Sequence, residues 1–117
     1  MNNMKPNRPD DPINYNREAW NHQVRMGNRW TVPFSDEIID KAKRGEWQVV
    51  LTPQFPVPQE WFPAKGAKLL GLASGGGQQC PVFAAAGYEV TSFDISSEQL
   101  GRDIEVANKH GLNIRIQ

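Results

Sequence analysis

The sequence is poor in cysteine and has no net charge. Its 117 residues include a single cysteine, Cys80, so an intrachain disulfide is excluded. Thirteen basic residues balance thirteen acidic ones, which removes any general electrostatic attraction to a nucleic-acid backbone or an anionic membrane. There is also no cluster of residues with metal-ligand spacing. We therefore expect no metal, no nucleic-acid partner and no membrane partner.

Long apolar runs are absent as well. No stretch approaches the ~20 apolar residues that a helix needs to cross a bilayer. The N-terminus, MNNMKPNRPDD, lacks the apolar segment of a signal peptide. Together with the lone thiol, this predicts a cytoplasmic protein. The length suits one domain, complete or incomplete, and 38% hydrophobic residues is a modest supply for its core.

What the sequence does contain is a pattern of alternating strands and a helix around a glycine-rich loop. The pattern predicts a strand at 68–72, a loop of small residues at 73–77, a short apolar helix at 78–86 and a second strand at 88–93. Asp94 stands at the carboxyl end of the second strand. Such a unit is a right-handed βαβ crossover with parallel strands.

The order of these elements is typical of a nucleotide site. Glycines without Cβ atoms let a ligand lie against the main chain at the start of the helix, where free N–H groups face it. Adjacent parallel strands would bring Asp94 beside this loop, where its two oxygens could accept hydrogen bonds from both ribose hydroxyls. The alternative is a plain βαβ unit with a glycine-rich turn and a surface aspartate.

Two motifs carry a resemblance to a known family. GLASGGGQQ at 71–79 and FDISSEQL at 93–100 resemble the start of a class I S-adenosylmethionine-dependent methyltransferase, in a bacterial branch of that superfamily. The resemblance implies S-adenosyl-L-methionine as cofactor. It also implies that the methionine part lies on the glycine loop, that Asp94 accepts the ribose and that Ile95 neighbours the adenine. The implied loop residues are Ala73, Ser74, Gly75, Gly76, Gly77 and Gln78.

The sequence departs from the family at one position of this motif. Many members carry an acidic residue where this chain has Gly71, and that group helps to orient the amino end of the cofactor. Gln78 could bind the cofactor's carboxylate or face solvent. The dinucleotide fingerprint fits less well, because Ala73 replaces the second glycine of that pattern.

The N-terminal half predicts an accessory segment. Residues 1–12 are polar and contain prolines, and we expect them to form a flexible tail. We expect residues 13–66 to form a helical, aromatic segment. Its predicted helices are at 14–26 and from Ser35 to the glycine at 45. Residues 47–51 suit a short strand or extended segment, and the prolines that follow favour a surface loop. The aromatic residues here suit a core, or a lid in which Trp30 faces the sulfonium.

The C-terminal part completes the fold prediction. Ser96 and Ser97 cap a helix with Leu100, Ile104 and Ala107 on one face, and 113–117 alternate like a third strand. The fold class is α/β: a Rossmann-like parallel sheet, incomplete, with three strands and flanking helices in 67–117, preceded by an N-terminal helical segment. In the order 3-2-1 the first strand keeps an open edge. We expect that edge to pair with a second copy or with a missing C-terminal half.

The sequence thus predicts a methyltransferase, or a truncated part of one, that binds S-adenosyl-L-methionine. No residue suggests itself as a catalytic base, and the methyl acceptor is not indicated. Two alternatives stay open. The first is a non-catalytic truncated or split chain that acts as a dimeric cofactor-binding or assembly module. The second is a fragment of an NAD-binding oxidoreductase.

Overall fold

The computed structural model describes residues 11–52 and 54–117 and contains helices around two small sheets. The α-helices are α1 (Pro12–Arg25), α2 (Asp36–Lys43), α3 (Gln79–Ala85) and α4 (Ser97–His110). The strands are β1 (Val50–Thr52), β2 (Phe55–Pro56), β3 (Lys68–Leu72), β4 (Glu89–Phe93) and β5 (Ile114–Ile116). Single 3-10 turns lie at Arg29–Thr31 and Gln59–Trp61. Most of the tail predicted for 1–12 lies outside the described residues.

The two N-terminal helices begin at side-chain caps. Asp11 accepts a hydrogen bond from the backbone N–H of Asn14, and Pro12 opens α1, two positions before the predicted start. Ser35 caps α2 as predicted, by accepting from the N–H of Ile38. The acidic first turn and basic last turn of α2 match the helix dipole.

The three-stranded sheet has the order β3-β4-β5, and both strand pairs are parallel. Helices α3 and α4 pack on it and bury two apolar clusters. One contains Ile39, Ala42, Val82 and Val106, and the other Cys80, Tyr88 and Val90. Parallel strands joined by crossover helices, preceded by an N-terminal helix, confirm the predicted α/β class: a partial, Rossmann-like sheet.

Alternate residues of β3 leave an apolar surface open. The side chains of Leu70 and Leu72 are 56% and 69% exposed. Leu72 is the register partner of Phe93, which is 49% exposed. We call these three side chains the open sheet face. Within the described residues, no strand pairs with the outer edge of β3.

The segment between α2 and the sheet differs from the prediction. The strand predicted within 47–51 begins at Val50, and its partner is Phe55–Pro56, where a loop was expected. Proline is compatible with this position because a two-stranded hairpin consists of edge strands.

Only part of the aromatic set forms a core. Trp47 packs edge-to-face on Phe62 and Phe83, with ring centroids 5.2 and 5.8 Å apart, and so joins the accessory segment to the sheet. Trp61 is 71% exposed and Trp30 is 55% exposed, so for these two the core interpretation is wrong. Each stands in a 3-10 turn of three residues, which is too short to bury all the side chains that it carries.

Candidate functional site

The glycine loop adopts a backbone that few residues tolerate. Gly76 and Gly77 have φ angles of +115° and +78°, and Ala73 has φ +52°. Positive φ is strained for a residue with a Cβ, so Ala73 requires support from its surroundings. The N–H of Ala73 donates to the carbonyl of Phe93 at 2.7 Å, which ties the start of the loop to the end of β4.

Asp94 lies beside this loop at the carboxyl end of β4. Its Oδ2 accepts from the N–H of Gly75 at 3.0 Å, and its Oδ1 accepts from the N–H of Ser96 at 2.8 Å. The carboxylate therefore joins the loop to the start of α4. Each of its oxygens retains a second lone pair for a ligand.

The chain's own N-terminal segment, residues 28–34, covers two of the three glycines. The N–H of Phe34 donates to the carbonyl of Gly77 at 3.0 Å. A Cβ at Gly77 would lie 2.8 Å from the Cβ of Pro33, and one at Gly76 would lie 2.9 Å from the carbonyl oxygen of Trp30. These two glycines are thus needed for close approach of residues 28–34.

This packing changes the interpretation of three predicted cofactor residues. Gly76 and Gly77 do not line the adjacent cleft, because residues 28–34 occupy the space in front of them. Gln78 lines the cleft, but its side-chain amide donates to the carbonyls of Arg29 and Val32, both at 2.9 Å. Its amide nitrogen therefore holds residues 28–34 in position.

A cleft of ≈ 610 Å³ opens where β3 and β4 end. Of the residues predicted to bind cofactor, the cleft brings together Trp30, Ala73, Ser74, Gly75, Gln78, Asp94 and Ile95. The remaining lining residues are Trp20, Arg29, Phe34, Gln48, Val49, Val50, Gln79, Val82 and Gln99. Ligands of open α/β sheets bind outside the carboxyl ends of the strands, which is where this cleft lies.

Sequence reasoning missed a buried carboxylate beneath the loop. Asp103 of α4 is fully buried, and it accepts from the N–H of Gly77 and from the hydroxyl of Ser92, both at 2.7 Å. Burial raises the pKa of Asp103 to about 6, while its two hydrogen bonds partly oppose that shift. The sequence feature that could have indicated this carboxylate is an acidic residue beside the apolar positions of α4. The predicted face was partly wrong, since Ile104 is 43% exposed and Asp103 is buried.

Cys80 is a buried residue of α3. Its Sγ lies 3.4 Å from the Oγ of Ser74, and burial raises the pKa of the thiol. A raised pKa disfavours the nucleophilic thiolate.

Within residues 11–52 and 54–117, the acidic, histidine and cysteine side chains form no group of three or more that could hold a metal ion. In the same part of the chain, no helix is both long and apolar enough to cross a bilayer.

The fold and the cleft together define the class as a Rossmann-like α/β protein with a candidate ligand site at the strand ends. No family model matches the chain. The chain is 48% identical over 103 residues to a Bacillus subtilis (strain 168) protein named "Uncharacterized methyltransferase YbaJ". This similarity confirms the resemblance to a methyltransferase. The match covers 87% of the chain and 40% of that relative, so the chain spans well under half of the relative's length.

The buried Asp103 generates a test of stability against pH. Its folded-state pKa of about 6 lies above the ordinary value of 3.8, so it contributes stability at low pH that is lost as pH rises through 6. Asp103→Asn keeps an acceptor for Gly77 and a donor for Ser92 without the buried charge. We expect this variant to gain stability relative to the parent chain by roughly 1 kcal/mol between pH 5 and pH 7.5.

Urea unfolding at the two pH values measures this difference. Glu60→Gln, at an exposed carboxylate, is the matched control and should show little pH-dependent gain. If Asp103→Asn is less stable than the parent at pH 7.5 and the gap grows with pH, the ionised carboxylate stabilises the fold and the prediction is wrong.

Proposed function

We propose that the chain is the cofactor-binding part of an S-adenosylmethionine-dependent methyltransferase. The observation that carries the proposal is the carboxylate of Asp94, hydrogen-bonded to Gly75 at the mouth of a cleft of ≈ 610 Å³. In the proposed complex Asp94 accepts the ribose hydroxyls and residues 73–75 line the methionine part. Ile95 contacts the adenine. The similarity to a protein named as a methyltransferase supports this assignment.

The residues of the cleft fit such a cofactor in charge and shape. The free lone pairs of Asp94 suit a pair of neighbouring hydroxyl donors. Gly71 has no room for the acidic side chain that many methyltransferases carry at this point. A Cβ there would lie 2.3 Å from the Oγ of Ser74 and 2.5 Å from the Sγ of Cys80. Recognition of the methionine end therefore depends on other residues of the cleft.

The chemistry requires alignment above all. Bound S-adenosylmethionine supplies an activated methyl group, which an acceptor takes in a direct displacement. The protein contributes by fixing the sulfonium and the acceptor in line. Trp30 is proposed to lie near the sulfonium, where an aromatic face attracts a cation. The match covers less than half of the relative, so the proposal for this chain is limited to cofactor binding and includes no methyl acceptor.

Two alternative functions are an NAD-binding oxidoreductase and a non-catalytic binding or assembly module. An NAD-binding oxidoreductase is disfavoured, because the carbonyl of Trp30 lies where a pyrophosphate would have to approach Gly76. A non-catalytic binding or assembly module is compatible with the open sheet face. We propose that this face and the free edge of β3 take part in pairing with a second copy or with the missing C-terminal half. The proposed compartment is the cytoplasm.

The first test concerns Asp94. Calorimetric titration with S-adenosylhomocysteine should detect binding, and Asp94→Ala should weaken it at least ~10-fold because the ribose acceptor is lost. Asp40→Ala, at an exposed carboxylate of α2, is the control and should bind like the parent chain. Unchanged affinity in the Asp94 variant would show that the ribose lies elsewhere. Competition by NAD would instead favour the oxidoreductase.

A second test concerns the charge of the ligand. If Trp30 lies against the sulfonium, Trp30→Ala should weaken S-adenosylmethionine several-fold more than its uncharged product S-adenosylhomocysteine. Trp61→Ala removes an even more exposed indole outside the cleft and should affect neither ligand. Equal weakening of the two ligands by Trp30→Ala would assign the ring to packing.

A third test concerns the open sheet face. Light scattering should detect self-association at high concentration, and Leu72→Lys should reduce it, because a charge then replaces an exposed apolar side chain. Lys68→Leu, on the same strand, should not reduce association. A monomeric parent chain at all concentrations, with slowly exchanging amides along β3, contradicts pairing of two copies.

A further inference from the structure

The residues that line the cleft include one basic and one acidic residue. The basic residue is Arg29 and the acidic residue is Asp94, and the other lining residues of the described chain are neutral. The cleft is thus positive on the wall formed by residues 28–34 and negative at the end of β4. A ligand that carries an anionic group beyond a sugar would match this pair of charges.

The backbone of Arg29 is fixed against the glycine loop. Asn28 caps the 3-10 turn by accepting from the N–H of Trp30 at 2.9 Å. On the other side, the carbonyl of Arg29 accepts from the side-chain amide of Gln78 at 2.9 Å. The first contact joins the two residues that flank Arg29, and the second holds the carbonyl of Arg29 itself. The point at which the arginine side chain leaves the backbone therefore has a defined position.

The guanidinium of Arg29 is also oriented. It lies over the indole of Trp30, 4.4 Å from the ring centroid. A guanidinium held over an aromatic ring in this way still has N–H groups directed away from the ring. Among the described residues, no carboxylate lies within ion-pair distance of it. A planar, pre-oriented donor fork beside a cleft is suited to a carboxylate.

We propose that Arg29 binds the α-carboxylate of the cofactor's amino-acid end. This inference rests on the proposed function. The loop meets Asp94 at Gly75 and meets residues 28–34 at Gln78, so a ligand anchored by its ribose at Asp94 extends along the loop toward Arg29. Arg29, in the segment 28–34, thus supplies a side chain that can bind the carboxylate of the ligand. Position 71 cannot contribute to the methionine end, because it has no room for a polar side chain.

The experiment compares two ligands that differ by one group. S-adenosylhomocysteine carries the carboxylate, and S-adenosyl-3-thiopropylamine lacks only that group and keeps the amine. The parent chain should bind the first at least ~10-fold more tightly by calorimetry. Arg29→Ala should abolish this preference while it retains the affinity for the decarboxylated ligand. Arg29→Lys should restore part of the preference, since it keeps the charge without the planar fork.

The control is Arg44→Ala, which removes an exposed arginine outside the cleft and should keep the full preference. A cooperative urea unfolding transition like that of the parent chain shows that Arg29→Ala is folded. The inference is overturned if the parent chain shows no preference or if Arg29→Ala keeps it. It is also overturned if the variant loses both ligands equally. A parent chain that binds neither ligand overturns the proposed function as well, which distinguishes the two failures.

Discussion

The site depends on the close approach between residues 28–34 and the two glycines of the loop. Gly76 and Gly77 lack the Cβ atoms that would collide with Trp30 and Pro33, and both have φ angles that favour glycine. The close contact places the 3-10 turn and Phe34 opposite the strand ends. Without it the sheet would present a loop and an aspartate on an open surface, and the cleft would lack one wall.

Contacts from three directions fix the loop. Residues 28–34 cover it, Asp94 holds its side through Gly75, and Asp103 supports it from below through Gly77. The support from below carries a cost in desolvation, because the carboxylate of Asp103 is fully buried. A rigid loop with pre-oriented N–H groups suits ligand binding, so stability is given up here for a defined site.

Local patterns in the sequence predict the βαβ unit and the position of Asp94. Glycine, apolar runs and a strand-end carboxylate fall within a few tens of residues, and parallel pairing then determines where they meet. The roles of Gly76, Gly77 and Asp103 were not predictable in this way. They follow from contacts between segments far apart in the chain, such as the pair Arg29 and Gln78, which are 49 residues apart. A local pattern cannot distinguish a glycine needed for a ligand from one needed for another part of the same chain.

The hairpin and the tryptophans illustrate the same limit. Edge strands as short as Phe55–Pro56 carry almost no periodic signal, and an aromatic residue gives no sign of whether tertiary packing will cover it. Trp47 is enclosed by Phe62 and Phe83, whereas Trp61 finds no such partners and is exposed.

The sequence separation of the two cleft walls has a kinetic consequence. The sheet is built from neighbouring segments joined by short crossovers, whereas docking of residues 28–34 closes a loop of more than forty residues and pays a larger entropy of closure. Elements of this kind open in sub-global steps while the rest of a domain stays folded. The cleft is therefore expected to form late in folding and to open early, so that ligand residence is coupled to the undocking of the N-terminal segment.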